Sequence, residues 1–508
     1  MRSLGRGIGA GLLSGAWLAL LSLALAPIYV HLLGIESYGL IGLYTAALAI
    51  GGILDVALSA TVSREIAWIQ ARPAEKNGIG TLLRSVEIVY WLSVSGIVLI
   101  LLAAVEAFGS SWVIASALPA DQITGALALM LLSLAIQLPS GLYTASLIGF
   151  HRQAHSAALL AGLGTLRGFG AALVAWGVSD DIRVFFLWHV TVGLVQIFWL
   201  RRQAWSYVPT GDGARFSVAS LMSIRHAAGT MFMITAMGTI LSQMDKLVLA
   251  FLMPLESLGH YTLAWGLASG LTIIATPIVQ GFGARFSALA SAGNQEELGR
   301  QINFALQLTY AMVIPPAVTI ILFAESLMFA WVRNANVAAA SAAPLSLLAL
   351  GTAMVACTYP LLIALYAKKE FKPVLLVQLA CVLLFFPLLL WCSDSMGILG
   401  AALCWSIYGV GLFATYFTLT AAWHGNRLSL GLSLGLLGSF ISAAILSLAV
   451  GWPIKHFFGQ NANHGEMLGL IGVTLVGAWL LTASACTKLR HGLGGRLKAI
   501  QISMNDHQ

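Results

Sequence analysis

The stretch Pro27–Ala67 reads PIYVHLLGIESYGLIGLYTAALAIGGILDVALSATVSREIA. It holds a short polar turn, then an apolar run of membrane length containing one acid, Asp55, then the Arg64–Glu65 pair. About 220 residues later Leu255–Arg285 repeats the plan as LESLGHYTLAWGLASGLTIIATPIVQGFGAR, so that IESYG becomes LESLG and the run again closes on an arginine. Both copies run from acidic turn through apolar run to arginine, with an even number of candidate spans from one turn to the next. They therefore share one orientation, and the pattern predicts a parallel repeat about an axis normal to the membrane. A second echo, LIGFHRQAHS and LIALYAKKEFKP, lies about 215 residues apart and sets six spans per half.

Composition excludes a soluble class. With 59% hydrophobic and 9% charged residues over 508 positions, the chain has more apolar surface than a soluble core hides. At about 20 apolar residues per span, fourteen runs qualify between residues 8 and 487. The predicted fold is all-α and polytopic, with two pseudo-symmetric six-helix lobes plus two C-terminal helices. The expected organisation is an N-lobe at 1–205, an inter-lobe loop at 206–226, a C-lobe at 227–424, and spans thirteen and fourteen with a basic tail at 425–508. The first run, preceded by Arg2 and Arg6, has signal-peptide features but span length, and reads as an uncleaved first helix. The five cysteines all lie in apolar runs and read as small core residues.

Placing the N-terminus inside puts 21 of the 26 basic residues on the cytoplasmic side and only Arg183, Arg333 and Lys455 outside. The positive-inside rule then predicts a multi-pass protein with both termini cytoplasmic. The net charge of +7 reflects this topology and contact with anionic membrane lipids, not nucleic acid.

Three segments carry a resemblance: PIYVHLLG followed by YG, then DVALSATVSREIA, and QMDKLVLAFLMPLESLGHYTLA at 243–264. The chain resembles the polysaccharide transporter family of the multidrug/oligosaccharidyl-lipid/polysaccharide (MOP) exporter superfamily, which includes Wzx-type O-antigen flippases. Ala250 and Val56–Ala57 depart from that pattern, where glycine and D-L-G are expected. The resemblance implies alternating access around a central cavity and outward movement of an undecaprenyl-diphosphate-linked oligosaccharide in the inner membrane of a Gram-negative cell. It also implies partner polymerase or chain-length proteins and no cofactor, with coupling to protons or sodium left open. The alternatives are a drug/cation antiporter of the multidrug-extrusion (MATE) type, a peptidoglycan-precursor flippase, whose AEGAFS-type motif after span two is replaced here by SATVSREIA, and a polytopic envelope polymerase or ligase. An enzyme is disfavoured by short outer turns and by the absence of a P-loop or HExxH motif.

Charges inside the apolar runs point to function, because a central Arg, Lys or Asp costs about 2.5–3.5 kcal/mol on the insertion scale and is kept facing protein or water. Arg167, in GLGTLRGFGAA, is the foremost candidate for substrate phosphate, since its planar fork suits bidentate contacts. The glycines around it read as a close helix contact or a cavity wall. Lys246, Arg64 and Arg285 are further substrate candidates, the last two reading also as topology anchors. Asp55, with Ser59 and Ser63 at i+4 and i+8, is a coupling candidate, as are Asp245 and His189. Asp245 and Lys246, one residue apart and about 100° around the helix, are expected not to pair. Glu87 is expected to pair with Arg84, and Gly7, Gly11 and Gly15 to form a close-packing face.

Overall fold

The structure, a computed structural model, describes residues 2–70, 78–208, 214–422, 428–458 and 464–485. Among the described residues the chain is helical throughout, apart from one isolated bridge between Ile114 and Pro254. In order the helices are α1 (Arg2–Leu33), α2 (Ile35–Gln70), α3 (Gly78–Trp112), α4 (Ala120–Gln137), α5 (Ser140–Gly149), α6 (Gln153–Gly177), α7 (Ile182–Ser206) and α8 (Val218–Leu252). They continue with α9 (Leu255–Ser291), α10 (Gln295–Leu322), α11 (Ala324–Val332), α12 (Ala335–Ala367), α13 (Phe371–Met396), α14 (Ile398–Ala422), α15 (Leu428–Pro453) and α16 (His464–Ala485). Eleven spans among the described residues are long and apolar enough to cross a membrane. The other three expected runs fall on α2, α8 and α16. Side chains such as Ile100, Trp176 and Leu384, each more than two-thirds exposed, supply the lipid-facing surface. The protein is an all-α, polytopic membrane protein.

The chain divides into two compact units, 1–262 and 263–508. In the first, α1 packs on α6, α2 on α8 and α5, and α4 on α7. In the second, α12 packs on α10 and α14, and α15 on α10 and α16. The division falls inside α9, downstream of the 206–226 segment where a lobe boundary is expected, because α8 and the first residues of α9 pack with α2. The basic tail after residue 485 lies outside the described residues.

Both sequence echoes have a structural cause. The matching glycines of IESYG and LESLG are Gly39 and Gly259, and the two motifs touch each other. A Cβ on Gly39 would overlap the Leu255 carbonyl oxygen, and a Cβ on Gly259 would overlap that of Ile35. Three residues on, a Cβ on Gly42 would overlap the side chain of Thr262, which holds the equivalent position in the second copy. The crossing is therefore symmetric, and its closeness demands glycine where backbone meets backbone.

The second echo is a helix stop. After α5, His151 adopts φ 60°, with its N–H on Ile148 O at 2.9 Å and the Arg152 N–H on Leu147 O at 2.8 Å. After α12, Lys369 adopts φ 61°, with its N–H on Tyr366 O at 3.0 Å and the Glu370 N–H on Leu365 O at 3.0 Å. The two left-handed caps close the same orphan carbonyls in the same way.

At the start of α2 the Glu36 carboxylate fastens the turn that precedes α4. It accepts from the Ser116 N–H at 2.9 Å, the Ser116 hydroxyl at 2.7 Å, and the N–H groups of Ala117 and Leu118 at 3.0 Å. Burial pushes the Glu36 pKa up, but these donors outweigh it and hold the carboxyl below its ordinary value. A depressed carboxylate stabilises the fold above its unfolded pKa of about 4.3 and loses that contribution as pH falls through the lower folded value. Glu36→Gln should therefore lower thermal stability of the detergent-purified protein by about 1.5–3 kcal/mol at neutral pH. It should also flatten the fall in melting temperature below about pH 4.

Candidate functional site

The polar interior of the first unit gathers where a span is broken. Pro139 lacks an N–H and interrupts the apolar span Ala120–Gly149, so that α4 stops at Gln137 and α5 begins at Ser140. The Leu138 carbonyl at the break accepts from the Tyr90 hydroxyl at 3.2 Å. Broken spans are tolerated in a membrane only where protein or water satisfies the freed groups, and they commonly mark binding sites. Gln137, on the last turn of α4, donates to the Ser133 hydroxyl at 2.6 Å and to the Tyr44 hydroxyl. Tyr44 and Ser133 are themselves 2.9 Å apart. All three side chains are buried.

Arg167 and His189 join this group. The Arg167 guanidinium donates from Nη2 to Gln196 Oε1 at 2.5 Å and lies close enough to Tyr44 and His189 to act on both electrostatically. Its Nε–H is buried and has no hydrogen-bond partner among the described residues. Nor does any carboxylate among the described residues form an ion pair with it. A guanidinium in a span, fixed by a neutral amide and retaining unused donors, has the chemistry to receive an anion. The His189 ring is buried, its Nδ1 3.0 Å from the Phe185 carbonyl, and packs against Phe185 and Tyr44 with centroids at 4.3 and 5.7 Å.

Three of the small residues flanking Arg167 are a close helix contact rather than vacant space, and the fourth, Gly162, faces open space. Leu18 fills the place of a Cβ on Gly164, Leu21 and Leu25 that on Gly168, and Trp188 that on Gly170. The Tyr29 hydroxyl donates to Gly168 O at 2.8 Å. The expected packing face on α1 is corrected by the same contacts: Gly11 and Gly15 face open space, and Gly7 lies outside the described side chains. In the α1–α6 pair the glycines of α6 accept the leucines of α1.

The other candidates separate. Asp245 and Lys246 on α8 are fully buried, and the expectation that they do not pair is overturned: Lys246 Nζ lies 3.8 Å from Asp245 Oδ1. The angular argument fails because a four-carbon stem spans 100° of helix surface. The pair is loose, because Oδ1 also accepts the Lys246 backbone N–H at 2.8 Å and Nζ donates to Gln243 at 3.1 Å, while Tyr261 donates to Oδ2 at 2.5 Å. Asp245→Asn should destabilise the protein by about 3 kcal/mol by stripping charge from a buried pair. The double variant Asp245→Asn/Lys246→Met should recover most of that melting temperature. Arg64 is exposed on α2. Arg285 sits 3.7 Å from Glu297, which Arg300 also holds at 2.9 Å. The Asp55 side chain lies outside the described residues.

Glu87 pairs with Arg84 at 3.1 Å as expected, and also accepts from Arg201 Nε at 2.6 Å and the Tyr143 hydroxyl at 2.5 Å. Tyr44, Ser133, Gln137 and Gln196 have no charge to mark them in a sequence. Pro139 within an apolar run, two residues after Gln137, is the signal that points to them.

By sequence, no family model and no curated protein matches the chain. By structure, the chain aligns with lipid II flippase MurJ in its inward closed conformation at a TM-score of 0.69 and 15% identity, over 93% of this chain and 97% of that one. It has the MOP fold. An inward-facing multidrug resistance MATE family transporter of the MOP superfamily aligns at 0.64 and 15% identity, over 80% of this chain and 95% of that one. The Vibrio cholerae MATE transporter VcmN aligns at 0.57 and 14% identity, over 84% of this chain and 98% of that one.

Proposed function

We propose that the protein is a secondary transporter that moves undecaprenyl-diphosphate-linked oligosaccharide units from the cytoplasmic to the periplasmic leaflet of the inner membrane by alternating access. The products would feed O-antigen, capsule or exopolysaccharide synthesis, alongside polymerase and chain-length proteins. The observation that carries this reading is Arg167, a half-buried guanidinium whose Nε–H is buried and unused, with no acidic partner among the described residues and a place beside a broken span. Its charge suits a diphosphate and opposes a cationic drug. The MOP fold, the lipid II flippase among its neighbours, and the inward- and outward-facing MATE structures that align with it support the same mechanism. In this reading Lys246 is secondary, since Asp245 offsets its charge. Arg64 and Arg285 are headgroup contacts at the ends of equivalent helices, and Asp55 is the coupling acid, to protons or to sodium.

The MATE neighbours favour one second reading, export of cations. Proteoliposomes containing the purified protein distinguish the two. The flippase reading expects protein-dependent movement of a polyprenyl-diphosphate oligosaccharide, scored by accessibility to a membrane-impermeant glycan-binding probe, and no ion-gradient-driven efflux of a lipophilic cationic dye. Dye efflux without glycolipid movement would replace it with the antiporter.

A further inference from the structure

We propose that the end of α7 carries a binding site for the phosphate headgroup of an anionic phospholipid, separate from the Arg167 cluster. A cavity of ≈590 Å³ opens there, lined by Phe198, Arg201, Arg202, Gln203, Trp205 and Ser206. Its volume is that of a small-molecule site. The wall is graded along the helix. Phe198 stands one turn inside the span, the two arginines follow, and Gln203 and Ser206 come last, with residues 198, 202 and 206 one turn apart on one face. That order matches a phospholipid, with the acyl and glycerol portion against the aromatic ring and the phosphodiester among the donors.

The two arginines are differently equipped for this task. Arg201 is held by its Nε on Glu87 and also lies beside Tyr143, so Glu87 and Tyr143 fix its place at the cavity wall. Glu87 is shared with Arg84, so three guanidiniums stand against one carboxylate and the local charge is positive. Arg202 is exposed and forms no ion pair among the described residues. The Trp205 indole N–H is buried without a hydrogen-bond partner among them, a donor that native proteins rarely leave unused. At the end of an apolar span the abundant phosphate anions are those of the bilayer itself, and basic pockets at this depth hold acidic headgroups.

The test uses the full-length protein purified in detergent and titrated with phosphatidylglycerol or phosphatidylcholine, reading bound lipid by native mass spectrometry and melting temperature in parallel. Phosphatidylglycerol should bind saturably and raise the melting temperature, and phosphatidylcholine should not. Arg202→Gln leaves the Glu87 contacts intact, so its lipid-free melting temperature should match the parent while its apparent affinity for phosphatidylglycerol falls about tenfold. Trp205→Phe should weaken binding about threefold. Equal binding of both lipids, or unchanged phosphatidylglycerol binding in Arg202→Gln, would overturn the proposal. So would one-for-one displacement of phosphatidylglycerol by geranylgeranyl diphosphate, which would assign the cavity to a prenyl diphosphate. The result does not depend on transport, and the proteoliposome assay does not depend on this site.

Discussion

Arg167→Ala should reduce glycolipid movement about a hundredfold in proteoliposomes, with the purified protein melting within about 2 °C of the parent. Truncating one partner of a buried charged contact costs about 2–5 kcal/mol, and each 1.4 kcal/mol is about tenfold. The Arg167 guanidinium makes its hydrogen bond to a neutral amide, Gln196, so its removal leaves no uncompensated carboxylate among the described residues. That separates it from a structural ion pair, whose loss would be read in the melting curve. Arg167→Lys keeps the charge without the fork and should retain intermediate activity. Gln196→Ala should act in the same direction more weakly, by freeing the guanidinium to sample other rotamers. A large loss of thermal stability in Arg167→Ala with transport per folded molecule unchanged would remove the substrate role.

The largest effect on folding is expected at the crossing of the two repeated motifs. A Cβ at Gly39 or Gly259 meets a carbonyl oxygen of the facing backbone, which has no rotamer to yield, so the helices themselves must separate. Gly39→Ala and Gly259→Ala should each cost about 3 kcal/mol, at the upper end of overpacking penalties. The valine variants should not accumulate as folded protein. Gly52 and Gly270 lie in the same two helices, α2 and α9, with nothing within 4 Å of the added carbon. Alanine there should be neutral or stabilising by about 0.5–1 kcal/mol. Melting temperatures of the four alanine variants in one detergent check the contrast, and equal behaviour at all four positions would refute the steric account.

These cases show which features a sequence exposes. The helical, membrane-spanning fold was legible because apolar runs of span length have few other uses. The repeat was legible because the crossing and the helix stop each need particular residues, glycine at Gly39 and Gly259 and a polar residue able to turn left-handed at His151 and Lys369. The candidate site could be proposed from the sequence only through its charge. Arg167 stands out in an apolar run, whereas Tyr44, Ser133, Gln137 and Gln196 are ordinary residues made into a cluster by tertiary packing. Glycine spacing misled on α1, since a GxxxG pattern says that a helix has a smooth face and not which helix uses it. Angular separation misled at Asp245 and Lys246, where side-chain length outruns helical geometry.

The meeting of Gly42 with Thr262 bears on how such a chain arose. In a dimer of identical subunits, a residue on the two-fold axis faces its own copy, so its size has to satisfy both partners at once. Two threonines there would collide, and two glycines would leave a hole. Duplication and fusion into one polypeptide release that restriction, because each copy of the position then mutates alone. A small residue on one side and a larger one on the other is a solution open to the fused chain and closed to its symmetric ancestor. At this crossing the two copies of the motif are no longer alike, glycine on one side being fitted to threonine on the other.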